Sequence, residues 1–503
     1  SPRTSGSSRV AAAALRSRMK RSHASDGTAE LPAGGVANLP ADLILAAAER
    51  TAFTFHAGGR SAERPAEYVL VCLGGLEDVA AQEAQALLQL VGPPRVLARG
   101  TSDGHAGCGK LLIATTSPPA ALFGLRAAHS LIAFAVHSSG VRDARAEGLE
   151  DAKRAILTAR WSDALAVWRE HQQLLTETIS AWPPFRASAV RDGVHGFQCT
   201  DLAALLGEEL GELTKLPVSM KAFEVEALAL LHDTELTLGI ALSLSPRRAW
   251  RNRVPPDARP LMPYIGRVFT LRPSVAWVLA QLAEPQPGEL IVDVMAGVGT
   301  VPIEIFASWP GVFALGGDAD RDATPLAAQN AQYARSRLAG KVPIAGPDEW
   351  EERIREDDER ARPLPTARGT RGTVEGCAWD AVALPLRSGC VDAVVVDLPF
   401  GQRCGSKTKM ARVYPCCLRE LARVLRMGGR AVLLTLEGEL LQSAIDKQTE
   451  LWDVRAIHTK VHIGCYVNCF VYILGRSAAE WQPAPARRPR PGPKADADAC
   501  PQK

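Results

Sequence analysis

From Phe269 onward, short apolar runs alternate with helical patterns, and four of the five runs end within one residue of an acid. The runs are Leu290–Val294, Val312–Gly317, Thr373–Trp379, Val391–Asp397 and Arg430–Thr435. Parallel strands need long crossovers, and helices at those crossovers cover the faces of the sheet. The alternation therefore predicts an α/β fold, a Rossmann-like domain built on a mostly parallel sheet. In open sheets of this kind ligands sit beyond the carboxyl ends of the strands. Residues that end the runs are the first place to look for chemistry.

The first run ends in Asp293-Val-Met-Ala296-Gly297-Val-Gly299-Thr300, followed by Val-Pro-Ile-Glu. Glycines at a strand-to-helix turn let backbone approach a nucleoside that a Cβ would block. Thr300 is expected as the helix N-cap, and Pro302 suits the first turn. The third glycine of a dinucleotide fingerprint is missing, since position 302 is Pro. That favours S-adenosylmethionine over NAD. The second run leads into Asp318, placed to accept from both ribose hydroxyls, a spacing NAD enzymes share. Asp320 and Asp322 compete nearby as helix-start residues. The third run closes at Trp379-Asp380-Ala381, where an acid could accept from the adenine amine or simply cap a loop.

The fourth run ends in Asp397-Leu398-Pro399-Phe400-Gly401. A carboxylate and a main-chain carbonyl can hold an exocyclic NH2, and an aromatic face can stack on its ring. Positioning of this kind supplies much of a methyl transfer to a base nitrogen. Stacking on Phe400 adds on the order of 1–3 kcal/mol, comparable to the cost of unstacking a base. The leading reading is an N-methyltransferase acting on nucleic acid. A rival lies in Tyr414-Pro415-Cys416, the Pro-Cys pair of enzymes that attack cytosine through a thiolate. Tyr414, Leu418, Leu421 and Leu425 recur at helical spacing, which puts Cys416 at the start of an amphipathic helix as a structural cysteine.

At 503 residues with 47% hydrophobic content, two or three domains are expected. The net charge of +3 neither demands nor excludes a nucleic-acid partner. Charged residues interrupt every candidate membrane span, so no membrane role is expected. The 11 cysteines show no zinc spacing and no Cys-x-x-Cys pair, so no metal site is expected. Free thiols in a reducing, cytoplasmic setting fit them. The chain opens on Ser1, as a fragment or processed form would. Residues 1–60 read as a disordered leader with a short helix near Leu43–Arg50. Its basic start fits a transit peptide or an unstructured arm, leaving nuclear or organellar sites open.

Mixed α and β signals fill residues 61–253, beginning with a strand-like run from Tyr68 to Leu73 and a helical pattern through Leu90. Residues 254–268 read as a Pro-rich linker and 269–477 as the catalytic domain, with a charged insertion at 346–372. Residues 478–503 read as a disordered tail. Arg247, Arg248, Arg251 and Arg253, with Trp250, form a basic cluster suited to phosphates. Arg403 and Lys407 follow the clamp and are candidates for phosphates flanking a flipped guanine.

The motifs at 293–304, 317–318 and 379–380, and above all Val396-Asp-Leu-Pro-Phe-Gly-Gln-Arg-Cys-Gly-Ser-Lys407, resemble the eukaryotic THUMP-domain-containing class I methyltransferases. The likeness runs upstream through Phe185-Arg-Ala-Ser, Arg191-Asp-Gly-Val-His195 and Phe223-Glu-Val-Glu226 and covers about residues 180–475. It implies a seven-stranded Rossmann-like catalytic domain preceded by an α+β ferredoxin-like and THUMP module that grips tRNA. It also implies methylation of guanosine N2 near tRNA positions 6 and 7, and a small zinc-binding activator subunit as heterodimer partner. Ala296 and Val298 depart from the usual first motif without removing a polar group. The alternatives are an N-methyltransferase for another RNA such as small nuclear RNA, for DNA or for protein, and a non-catalytic RNA-binding scaffold. Retention of Asp293, Asp318, Asp380 and Asp397 weighs against a scaffold.

Overall fold

Small and branched apolar residues between residues 66 and 242 produce strands, and those at 66–71, 130–138, 225–232 and 235–242 bury both faces over most of their length. In a computed structural model that describes residues 65–97, 108–174, 179–242, 270–338, 373–400, 406–463 and 466–482, they form one seven-stranded sheet. Its elements are β1 (Ala66–Val71), α1 (Glu77–Leu87), β2 (Arg95–Val96), β3 (Lys110–Thr115), α2 (Pro119–Leu122), β4 (Ser130–Ser138), α3 (Arg145–Thr158), α4 (Trp161–Gln172), β5 (Phe185–Asp192), α5 (Cys199–Thr214), β6 (Val225–His232) and β7 (Glu235–Leu242). The order is β2-β3-β1-β4-β7-β6-β5. All pairings are antiparallel except β5 with β6. This is an α+β module. Buried Trp168, Tyr68, Phe185 and Phe197 are among its largest core side chains.

The second sheet follows from the C-terminal runs. Its elements are α6 (Pro273–Leu282), β8 (Leu290–Asp293), α7 (Thr300–Ser308), β9 (Phe313–Asp318), α8 (Ala323–Leu338), β10 (Thr373–Ala378), β11 (Val391–Asp397), α9 (Lys407–Val424), β12 (Leu425–Thr435), α10 (Gly438–Asp446), β13 (Trp452–Ile463) and β14 (Tyr466–Arg476). The order is β10-β9-β8-β11-β12-β14-β13. The strands from β8 to β12 pair in parallel, and β14 runs antiparallel to both its neighbours. Val394, Val395 and Val396 of β11 are fully buried, each burial stabilising by about 1.5–3 kcal/mol. The chain steps outward from β8 to β10 and then returns to place β11 beside β8. That reversal opens a crevice at the carboxyl ends of β8 and β11.

Several local expectations are corrected. The first strand spans Ala66–Val71 and stops before Leu73, and α1 ends at Leu87 rather than Leu90. Gly74 instead makes an isolated bridge to His462 of β13. β10 ends at Ala378, so Trp379 and Asp380 lie just beyond it. The leader, the 254–268 linker, the 346–372 insertion and the tail beyond residue 482 lie outside the described residues.

The described residues all fall within one compact unit, Phe53–Lys503. Buried side chains of α1 (Val79, Ala80, Ala84), α6 (Val275, Val278, Leu279) and α7 (Val301, Ile303, Ile305) belong to one continuous apolar cluster. The two sheets therefore share a core, which alternating sequence patterns do not reveal. No described helix is long and apolar enough to cross a membrane.

Candidate active site

The glycine loop is built by backbone geometry. Gly297 and Gly299 adopt φ of +52° and +93°, values that L side chains rarely tolerate. A Cβ at Gly297 would meet nothing within 4 Å, so the loop faces open space there. Gly299, not Thr300, is the N-cap of α7, and Thr300 is the buried first residue of the helix. The left-handed turn carries the chain into the helix so sharply that no side-chain cap is used. Asn330 of α8, completely buried, donates its amide to the Val298 carbonyl at 2.9 Å and fixes the loop from behind.

Asp318 at the end of β9 accepts from Gly297 N at 2.8 Å through Oδ2 and from Asp320 N at 2.9 Å through Oδ1. A carboxylate offers about four lone-pair sites, so two backbone bonds leave room for hydroxyl donors. Trp379 packs flat on Gly317 and donates its indole N–H to the Val294 carbonyl at 3.1 Å. This sets the position of Asp380, an exposed carboxylate that accepts from Val382 N at 3.1 Å, and of the buried Ala381.

Asp293 is 2% exposed and accepts from Met295 N at 3.0 Å. Burial raises its pKa well above the carboxylate range, opposed by the Met295 amide and reinforced by the charges of Asp397 and Asp318. The acids at the ends of β8, β9 and β11 thus converge on one crevice, an environment that favours a cationic ligand. A ligand carrying a sulfonium and an ammonium matches that donor set, and the open face at Gly297 admits its nucleoside.

Asp397 ends β11 at the heart of the crevice. Its Oδ1 is buried and has no hydrogen-bond partner among the described residues. Burial pushes its pKa up to about 7. The following turn is pinned from two sides: Leu398 N donates to the Leu434 carbonyl at 2.9 Å, and Tyr414 Oη donates to the Pro399 carbonyl at 2.8 Å. Tyr414 also lies 2.9 Å from Thr435 Oγ1. Burial pushes its hydroxyl up to about 12, so it stays a donor. Phe400 is partly buried against the core and keeps some accessible surface.

Tyr414 was missed as a site residue because its spacing marks it only as part of an apolar helix face. Asn330 carried a weak signal, a polar residue among Ala327, Ala331 and Ala334. Tyr414→Phe removes the bond to Pro399 while keeping the ring. It is expected to lower kcat about ten-fold or more through misorientation of the turn, with cofactor affinity unchanged by calorimetry.

The structure revises two expectations for α9. Cys416 lies in the middle of α9, not at its start, because Ser406 Oγ caps the helix by accepting from Lys409 N at 3.3 Å. Pro415 sits inside the helix, Cys416 is exposed, and Cys417 is the buried thiol, pushed up to about 12 by its burial. Lys407, at 75% side-chain exposure, pairs with Glu437 at 3.0 Å. Glu437 is itself buried at 9% exposure, so the exposed Lys407 ammonium is tethered at its inner side and open to solvent on the other. Arg247, Arg248, Arg251, Arg253 and Arg403 lie outside the described residues.

Strand order, glycine loop and acid-ended strands give the fold of the class I methyltransferases. Residues 266–468 match the family model described as UPF0020, RMKL-like, methyltransferase domain. The chain is similar to the mouse tRNA (guanine(6)-N(2))-methyltransferase THUMP3, 34% identical over 310 residues, or 61% of this chain and 54% of the relative. It thus spans about half the length of the curated mammalian relatives it matches. A tRNA (guanine(6)-N2)-methyltransferase of Thermus thermophilus is 26% identical over 79% of this chain and 96% of its own length. The crystal structure of TrmN from Thermus thermophilus shares the fold, with a TM-score of 0.55 and 23% identity over 82% of this chain and 99% of that one.

Proposed function

We propose that the chain transfers a methyl group from S-adenosylmethionine to the exocyclic N2 of a guanosine in tRNA, near position 6 or 7, giving N2-methylguanosine. The observation that carries this reading is Asp397, whose buried Oδ1, without a hydrogen-bond partner among the described residues, lies at the strand end near the charge of Asp293. The names of the homologues support the substrate. In this reading residues 61–253 are the THUMP-containing RNA-binding module and residues 269–477 the catalytic domain.

Asp293, Ala296, Gly297, Gly299 and Thr300 hold one side of the cofactor, Asp318 accepts from its ribose, and Asp380 with Ala381 borders its adenine. S-adenosylmethionine, when bound there, supplies the methyl group as an electrophile. Asp397 and the Leu398-Pro399 turn orient the guanine amine by hydrogen bonds, and Phe400 stacks on the base. The Pro399 carbonyl accepts from Tyr414 and keeps a second lone pair, so either carbonyl of the Leu398-Pro399 turn can complete the clamp. Asp397, with a pKa near 7, can take the proton that the nitrogen releases as its bond to carbon forms. The arginines at 247, 248, 251, 253 and 403, with Lys407, contact phosphates in this reading. The family resemblance adds a small zinc-binding activator subunit as partner.

Tritium transfer from labelled S-adenosylmethionine to unmodified tRNA, followed by digestion to nucleosides, tests the proposal. Label is expected in N2-methylguanosine when the chain is co-expressed with the activator. Cofactor binding with no label in any tRNA would sink the substrate assignment.

A further inference from the structure

Glu304 is the one charged residue of α7, the helix that continues the glycine loop. It does not face solvent: the side chain is 2% exposed. Its Oε2 accepts from Arg126 Nη1 at 3.1 Å. Arg126 belongs to the other sheet, in the turn between α2 and β4. That turn is fixed from within its own module. Glu83 of α1, 8% exposed, accepts from Arg126 N at 2.7 Å through Oε1 and from Ala127 N at 2.8 Å through Oε2. Both oxygens of one buried carboxylate therefore set the backbone from which the guanidinium reaches α7.

A second tie holds the modules in register. His462 N donates to the Gly74 carbonyl at 3.0 Å. Gly75, at φ +85°, brings its backbone so close to β13 that a Cβ would lie 3.3 Å from the Lys460 carbonyl oxygen. With the shared apolar cluster around α1, α6 and α7, these bonds leave Arg126 little freedom to miss its partner.

We propose that Arg126 is a positioning residue for the cofactor site, acting from the N-terminal module through Glu304. The inference rests on the reading that the Gly297–Gly299 loop takes the cofactor. A buried carboxylate deprived of its cation is strongly destabilised where it lies. Without Arg126, Glu304 turns toward water, α7 shifts with it, and the loop at its N-terminus loses its set. The N-terminal module thereby completes the cofactor site as well as carrying RNA.

The test is calorimetric titration of the full chain with S-adenosylhomocysteine, for wild type, Arg126→Ala, Arg126→Lys and Arg126→Ala/Glu304→Gln. Steady-state kinetics are run in parallel. Arg126→Ala is expected to weaken binding by about 2- to 30-fold. KM for S-adenosylmethionine should rise by the same factor, while KM for tRNA stays put. The double variant should recover most of the affinity, because no unpaired charge remains buried. A general loss of structure would raise both KM values and would not be rescued by Glu304→Gln. Wild-type affinity in Arg126→Ala, or a double variant as weak as the single one, overturns the proposal. Arg126→Lys keeps the cation and should stay closer to wild type than Arg126→Ala; should Arg126→Ala not fold, Arg126→Gln, which removes the charge but keeps part of the stem, carries the test, and unchanged affinity there overturns the proposal. Failure of the wild-type chain itself to bind S-adenosylhomocysteine removes the functional reading first, and is distinguishable from every variant-specific outcome.

Discussion

Asp397→Asn is expected to lower methyl transfer by roughly 10²–10⁴-fold, the range for loss of a positioned proton acceptor, while S-adenosylhomocysteine still binds within a few-fold of wild type. The same substitution should make the protein more stable at alkaline pH. Burial raises the Asp397 pKa from 3.8 to about 7 in the folded state. Between those values the folded chain holds a proton that the unfolded chain has released, so raising the pH destabilises the wild type. The penalty is complete above about pH 7 and amounts to at most about 4 kcal/mol. Asn carries no such penalty. The gain in melting temperature of the variant should be near zero around pH 4, grow through pH 7 and then level off. The pH profile of kcat/KM in the wild type should rise with an apparent pKa close to 7. A variant that is inactive yet no more stable at pH 8 than at pH 4 would show that Asp397 finds a charge partner in solution.

Gly317→Ala is the second large effect. The added Cβ would lie 2.1, 2.4 and 2.5 Å from three atoms of the Trp379 ring. That ring is 7% exposed and tethered through its indole N–H to the Val294 carbonyl, so it has nowhere to retreat. Overpacking of this kind costs about 1–3 kcal/mol and sometimes more. Asp318 follows Gly317 and Asp380 follows Trp379, so both carboxylates move apart with the ring. A lowered urea midpoint and a cofactor affinity reduced about ten-fold or more are expected together. Gly389→Ala supplies the contrast. Its φ is +68° with nothing near a Cβ, so it should cost about 1–2 kcal/mol of backbone strain without touching cofactor affinity. Equal cofactor affinity in both variants would separate Trp379 from the binding site.

The parallel core of the C-terminal sheet was legible because its strands are short, apolar on both faces and divided by helical segments. A run such as Val391–Asp397 has few other stable environments. Its acid was legible for the same reason, since a carboxylate that ends a buried strand emerges at the rim, where ligands bind. Helix boundaries were less legible. Thr300 and Gly299 are both acceptable caps in one dimension, and only the left-handed turn at +93° decides for glycine. Cys416 was misplaced because the apolar repeat used to locate the helix starts at Tyr414, whereas Ser406 had already opened α9.

By itself the sequence determined the α/β class, the order of strands and acids, and the apolar run into Asp397-Leu-Pro-Phe, since these depend on periodicity and near neighbours. Only the tertiary structure decided that β11 returns to lie beside β8, which brings the charges of Asp293 and Asp397 into one crevice 104 residues apart in the chain. It alone supplied Tyr414 behind Pro399, Asn330 behind the glycine loop, and Arg126 against Glu304. Those contacts join residues far apart in the chain, each unremarkable in its own local pattern. Their partners are set by how sheets and helices pack, which local sequence does not encode.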